Sequence, residues 1–160
     1  MRTRAARPSD AGEIAAIYNE GIDERVATFE TDHRTAADVR AWLGAFPVVV
    51  AEDEDGAVAA WASAPPSSER PVYGGVREVS LDVARSHRGR GFGRAALGAL
   101  VEACEARGFW KLVSRVFPEN EGSLALCRSL GFREVGVQRR HARLDGAWRD
   151  VVVVEKLLGD

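Results

Sequence analysis

The strongest chemical signal lies in ten consecutive residues, Arg85, Ser86, His87, Arg88, Gly89, Arg90, Gly91, Phe92, Gly93 and Arg94. They follow a strand-like run and open a helical one. Glycines at such a turn let the backbone approach a ligand, and the freed N–H groups and the helix dipole attract phosphate. Four arginines and a histidine add positive charge. The pattern reads as a pyrophosphate site. A Walker A loop would need Gly-Lys-Ser/Thr after four spacers, which this stretch lacks. Gly91-x-Gly93-x-x-Ala96 nominally meets the dinucleotide fingerprint. However, it sits past mid-chain, with no clear acidic residue ending a strand about 20 residues later. The bland alternative is a tight turn with a solvated basic rim.

The strand before the turn carries the next candidates. Over Val76–Val83, Val79, Leu81 and Val83 point one way, while Glu78, Ser80 and Asp82 point the other. One face packs and the other carries oxygens. Glu78 can serve as a base or as the partner of a nearby arginine. Asn120 suits a helix N-cap. Cys104 and Cys127 sit within helical patterns and read as reduced thiols of a cytosolic protein. His33, His87 and His141 are scattered, and no Cys-x-x-Cys or Cys/His cluster exists, so no metal site is expected.

Several elements must position these groups. Asp10-x-x-Glu13 reads as a capping box opening a helix, with Gly21 as its end. Thr35 and Asp38 open a second helix that Pro47 stops. Asp23–Arg34, between them, has no period and reads as a loop over a site or a connector. Val48–Glu52 and Ala57–Ser63 form a hairpin around Asp53–Gly56. Val76–Val83 is one strand, Gly91–Arg107 a helix and Lys111–Val116 a strand. Asn120–Leu130 is a short helix ended by Gly131. Phe132–Gln138 and Asp150–Leu157 are strands paired across the Arg139–Arg149 connection. The mix predicts one α+β or α/β sheet with helices on both faces.

The 160 residues suit one domain, 1–160, large enough to bury a core without disulfides. At 46% hydrophobic and 29% charged the composition is globular. Apolar runs fall far short of the roughly 20 residues of a membrane span, and the basic N-terminus has no apolar segment behind it, so a signal peptide is not expected. A net charge of −2 gives no argument for nucleic acid or membrane partners.

Arg88-x-x-Gly91-x-Gly93 resembles the Arg/Gln-x-x-Gly-x-Gly/Ala acetyl-CoA motif of the GNAT superfamily of N-acetyltransferases. Asn120-Glu-Gly-Ser123 and Leu130-Gly-Phe132 resemble its next strand–helix unit. A narrower set is similar to the phosphinothricin acetyltransferase branch and, within it, to arsinothricin N-acetyltransferases. It comprises Ile17–Gly21, Ala27–Thr31, Tyr73, Glu78 before Ser80–Val83, and Gly146–Asp150. Those enzymes acetylate the α-amine of glutamate-like toxic amino acids. The resemblance implies a central mixed, mostly antiparallel sheet flanked by helices, acetyl-CoA as co-substrate, a cytoplasmic enzyme of detoxification or resistance, and a homodimer.

It also implies roles. An amine of pKa ~8 must lose a proton before it attacks a thioester, and Glu78 matches the branch's base, acting through water. The backbones of Leu81, Asp82 and Val83 would pair with the pantetheine arm as an added strand, an N–H near Val83 polarising the thioester carbonyl. Arg88, Gly89, Arg90, Gly91, Phe92, Gly93 and Arg94 would hold the pyrophosphate, and Asn120 and Ser123 would touch the pantetheine. Cys127 stands where the family carries tyrosine or histidine. A thiol is a weak donor, so either Cys127 or water would protonate the leaving thiolate. An anionic acceptor calls for arginines; the candidates are Arg25, Arg70, Arg77, Arg140 and Arg143, with Phe29, Tyr73 and Trp148 as walls and Thr28 and Glu30 nearby. The rivals are acetylation of a protein N-terminus or another amine, and an acyl-CoA-binding sensor without turnover. A flavin or nicotinamide protein is more distant.

Overall fold

The structure, a computed structural model, describes residues 1–159; Asp160, the last residue of the expected domain, falls outside the described residues. The strands are β1 (Arg2–Ala5), β2 (Val48–Glu52), β3 (Val58–Ser63), β4 (Val76–Glu78), β5 (Ser80–Val83), β6 (Lys111–Val116), β7 (Arg133–Leu144) and β8 (Ala147–Leu157). The helices are α1 (Ala11–Glu24), α2 (Ala36–Leu43), α3 (Phe92–Ala106) and α4 (Glu121–Ser129). The strands form two four-stranded sheets, ordered β1-β2-β3-β5 and β4-β6-β8-β7. Every pair is antiparallel except β4 with β6.

The single strand expected over Val76–Val83 is two strands in two sheets. The Val79 N–H still donates to Val113 O at 2.8 Å. From Ser80 onward the chain follows Ser63 and the rest of β3 instead. Among the described residues no ladder joins β5 to β6, so the sheets splay at Val79 and leave a groove. Periodicity could not show this, because the inward alternation of Val79, Leu81 and Val83 continues through the split.

β2 and β3 are buried throughout, which explains their nearly unbroken apolar runs. On one face Val49, Ala51, Ala60 and Ala62 meet Phe92, Ala96, Leu97, Leu100 and Cys104 of α3. On the other, Val48, Val50 and Trp61 meet Ile14 and Ile17 of α1 and Val39 of α2. Helices therefore cover both faces, as expected.

Four boundaries depart from expectation. β1 has no apolar signal; its residues are mostly exposed, and it exists by pairing with β2. Asp10 does not cap α1. Its carboxylate accepts the Arg7 N–H at 2.7 Å and two Arg4 bonds at 2.7 and 2.9 Å, while Glu13 accepts the Val58 N–H. Gly21 lies inside α1, where a Cβ would stand 3.0 Å from Asp82 Oδ1; its bare Cα lets the helix lie against β5. The Arg139–Arg149 connection is mostly strand. β7 and β8 pair to a tight Asp145-Gly146 turn with φ of 51° and 81°, the Asp-Gly signature of a hairpin turn, with a register shift between Gln138 and Ala142. The Thr35–Asp38 capping box forms as expected, with bonds of 2.8 and 3.2 Å.

Candidate active site

The groove runs between β5 and the β6–α4 unit. Its larger part has a volume of about 370 Å³ and its smaller part about 300 Å³. Both are lined by Ala27, Leu81, Asp82, Asn120 and Ser123, so they are continuous. The larger part is walled by Glu78, Arg115, Phe29, Glu30, Phe117, His141 and Cys127, and the smaller extends past Val83 to Arg88.

The open edge of β5 faces this space. The Ala84 N–H donates to Ala59 O at 2.8 Å. Bonded pairs alternate along an antiparallel ladder, so Asp82 and Ser80 bond to β3. The N–H and C=O groups of Leu81 and Val83 then point away from it, where an extended ligand arm could pair.

The glycine-rich turn closes one end. Gly89 and Gly91 have φ of 74° and 87°, a region that suits glycine. Gly91 is the N-cap of α3 and supplies no side-chain cap, so first-turn N–H groups remain available to an anion. A Cβ on Gly93 would stand 3.0 Å from Val83 Cγ2 and 3.1 Å from Leu126 Cδ1; the glycine seats the helix start against β5. His87 Nε2 lies 2.9 Å from Asp53 Oδ2, tying the turn to the β2–β3 connection. The Arg88 fork meets Glu24 at 2.6 and 2.5 Å, and Arg85 approaches the same carboxylate at 3.6 Å. These arginines hold the Glu24 carboxyl below its ordinary range. Arg90 lies over the Phe92 ring, and Arg94 reaches Ser129 Oγ at 3.4 Å. An open helix N-terminus, an unpaired strand edge and Arg88 at the end of one groove fit a diphosphate carrier with an extended arm; Arg85, Arg90 and Arg94 do not line it.

Deeper in, Glu78 Oε1 accepts from Arg115 Nη1 at 3.2 Å, and Arg115 Nε reaches Gln138 Oε1 at 3.4 Å. Burial pushes the Asp82 carboxyl up to about 7 against the opposing pull of Arg88. Burial likewise pushes the Cys127 thiol up to about 11, so it is protonated at neutral pH. Asn120 Oδ1 accepts the Ser123 N–H at 3.2 Å, the cap expected of it. Phe29 packs edge-on against Phe117, centroids 4.9 Å apart, and brings the 25–34 segment over the groove. That segment also carries Glu30, paired with Arg34 at 3.0 Å.

Glu78, Leu81, Asp82, Asn120, Ser123, Cys127, Phe29 and Glu30 thus come together, with Val83 and Arg88 at the smaller end. The expected anion-binding arginines do not line the groove. Arg77 is buried under Phe109, its Nε donating to Ala64 O at 2.9 Å. Arg70 and Tyr73 stack on each other at 5.4 Å in the β3–β4 connection. Arg140, whose N–H donates to Asp150, and Trp148, stacked on Arg143 at 4.3 Å, belong to the β7–β8 hairpin. Arg25 pairs with Asp145 at 3.3 Å. Arg115 was not among the candidates. Its place in the Lys111–Val116 strand was legible, but its nearness to Glu78 follows from the parallel β4–β6 pairing. Among the described residues no helix is long and apolar enough to cross a membrane, and no three potential metal ligands cluster.

Residues 14–132 match the acetyltransferase (GNAT) family, and the chain belongs to it. It is an acetyl-CoA-dependent N-acetyltransferase. The L-methionine sulfoximine/L-methionine sulfone acetyltransferase of Pseudomonas paraeruginosa is 31% identical, over 95% of this chain and 91% of that protein. The phosphinothricin acetyltransferase of Sinorhizobium meliloti, solved in complex with acetyl-CoA, superposes with a TM-score of 0.91 at 32% identity, covering 99% and 88% of the two chains. The ribosomal-protein-alanine N-acetyltransferase of Brucella melitensis superposes at 0.93 with 31% identity, covering 99% and 100%.

Proposed function

We propose that the protein acetylates the α-amine of a small anionic amino acid of the phosphinothricin or methionine-sulfone kind, by direct transfer, as a cytoplasmic detoxification enzyme. The observation that carries this reading is the position of Glu78, a carboxylate lining the groove at the end of β4, where the two sheets part and two residues before β5 begins. Similarity to amino-acid acetyltransferases supports the substrate class.

Acetyl-CoA supplies an activated acetyl thioester. Arg88, Arg90, Arg94 and the backbone of Gly89–Gly93 would bind its diphosphate. Leu81 and Val83 would pair with its arm, with Asp82 between them, and Asn120 and Ser123 would flank it. Glu78 takes the proton from the acceptor ammonium, directly or through water. The N–C bond then forms as the C–S bond breaks, and an N–H on the β5 edge donates to the developing oxyanion. The nitrogen sheds its second proton to solvent as the amide forms, and the thiolate takes a proton from water or from Cys127, which regains it from solvent. A homodimer fits the exposed Val135, Val137 and Trp148 of the β7–β8 hairpin.

Release of CoA thiol over a panel of amino acids, peptides and polyamines tests the substrate class. Glu78→Gln is expected to lower kcat about 10²–10⁴-fold with acetyl-CoA Kd unchanged. An unaltered kcat removes Glu78 from the chemistry. Turnover of peptides alone would favour the N-terminal reading that the similarity to the Brucella melitensis protein suggests.

A further inference from the structure

We propose that Glu78 and Arg115 together read the head of an α-amino acid, Arg115 taking the α-carboxylate and Glu78 the α-ammonium, so that a free carboxylate is required of the acceptor. This rests on the proposed substrate class and assigns the group that recognises it.

Arg115 is the one arginine or lysine lining the larger part of the groove among the described residues. Glu30 there is already paired with Arg34, which leaves Arg115 to meet an anion. The Glu78–Arg115 pair is open, its side chains 37% and 41% exposed. A pair of that exposure is screened by solvent and contributes little, so a ligand can part it at small cost. Gln138 anchors Arg115 through Nε and leaves Nη2 without a partner among the described residues.

An α-amino acid carries a cation and an anion on one carbon. Set against the pair, its carboxylate accepts from the guanidinium while its ammonium donates to Glu78. The opposite charges thus exchange partners without stranding either. The same contact delivers the nitrogen to the carboxylate that must remove its proton. A peptide N-terminus has an amide in place of the carboxylate and leaves Arg115 unmatched.

The test compares L-methionine sulfone with its α-carboxamide, using the full chain. Wild-type kcat/KM is expected to favour the acid by about 30-fold or more, the effect of a charged hydrogen-bond partner. Arg115→Met should collapse that ratio towards unity, chiefly through KM of the acid. Arg115→Lys should restore it in part. An unchanged ratio in Arg115→Met, or in Arg115→Gln where the methionine variant does not fold, as judged by circular dichroism, overturns the proposal. Calorimetry of the acid binding to the CoA complex separates the two readings. Binding that Arg115→Met abolishes, without acetylation, upholds the pair and refutes the proposed reaction. Acetylation indifferent to Arg115 does the reverse, and no binding at all refutes both.

Discussion

Replacing Asp82 by asparagine removes a titration that the fold has displaced. Gly21 lets α1 close over this carboxyl, and Glu20 and Glu24 on the same helix add to the burial that raises it to about 7. In the unfolded chain an aspartate titrates near ~3.9. The folded protein therefore keeps a proton that the unfolded chain has lost between about pH 4 and pH 7. Stability contributed by this group is full below that window, falls as pH rises through it, and is level above it. At about 1.4 kcal/mol per pH unit across that window the upper limit is ~4 kcal/mol, and solvent screening at the open groove lowers it to roughly 2 kcal/mol. Asparagine matches the protonated acid in shape and does not titrate. Urea unfolding at pH 4 to 8 should show wild type and Asp82→Asn nearly level at pH 4, and the variant more stable by about 2 kcal/mol at pH 8. Comparison with the variant cancels the carboxylates held low by arginines, such as Glu24 and Asp10, whose contributions are lost only as pH falls below the ordinary carboxylate range. Curves that stay parallel from pH 4 to 8 refute the reasoning.

The other predictions concern the turn, the thiol and the co-substrate. Gly91→Ala places a Cβ at a φ of 87°, with an expected stability loss of about 1–2 kcal/mol and weaker acetyl-CoA binding, read by urea unfolding and calorimetry. Cys127→Ala should leave kcat within a few-fold if water protonates the leaving thiolate; a loss of 100-fold in stopped assays would make the thiol a participant. Acetyl-CoA at 100 times its Kd should stabilise the protein by about 2.7 kcal/mol, visible as a rise in Tm, and no rise would remove the groove as its site.

What could be read in advance followed from local chemistry. The glycine-rich turn was legible because a left-handed N-cap, a close helix–strand approach and phosphate affinity each demand a residue type at a fixed spacing. Gly91 and Gly93 meet those demands. The Arg139–Arg149 segment reads as a connection because Arg139–Arg143 is mostly polar and shows no alternation; its strand character comes from pairing with β8 up to the Asp145-Gly146 turn. β1 lay beyond reach, since Arg2–Ala5 gains its strand character only from β2.

The chain order of residues was sufficient to determine the helix starts at Thr35 and Asn120, the apolar strands of the core and the family to which the turn belongs, since each depends on neighbours within a few positions. Tertiary structure alone decided that Val76–Val83 divides between two sheets. It decided too that Arg77 is sealed under Phe109, and that Arg115, distant in sequence, stands 3.2 Å from Glu78. An arginine's role is set by the carboxylates, rings and carbonyls that other strands bring to it, and strand pairing across tens of residues leaves no trace in local periodicity.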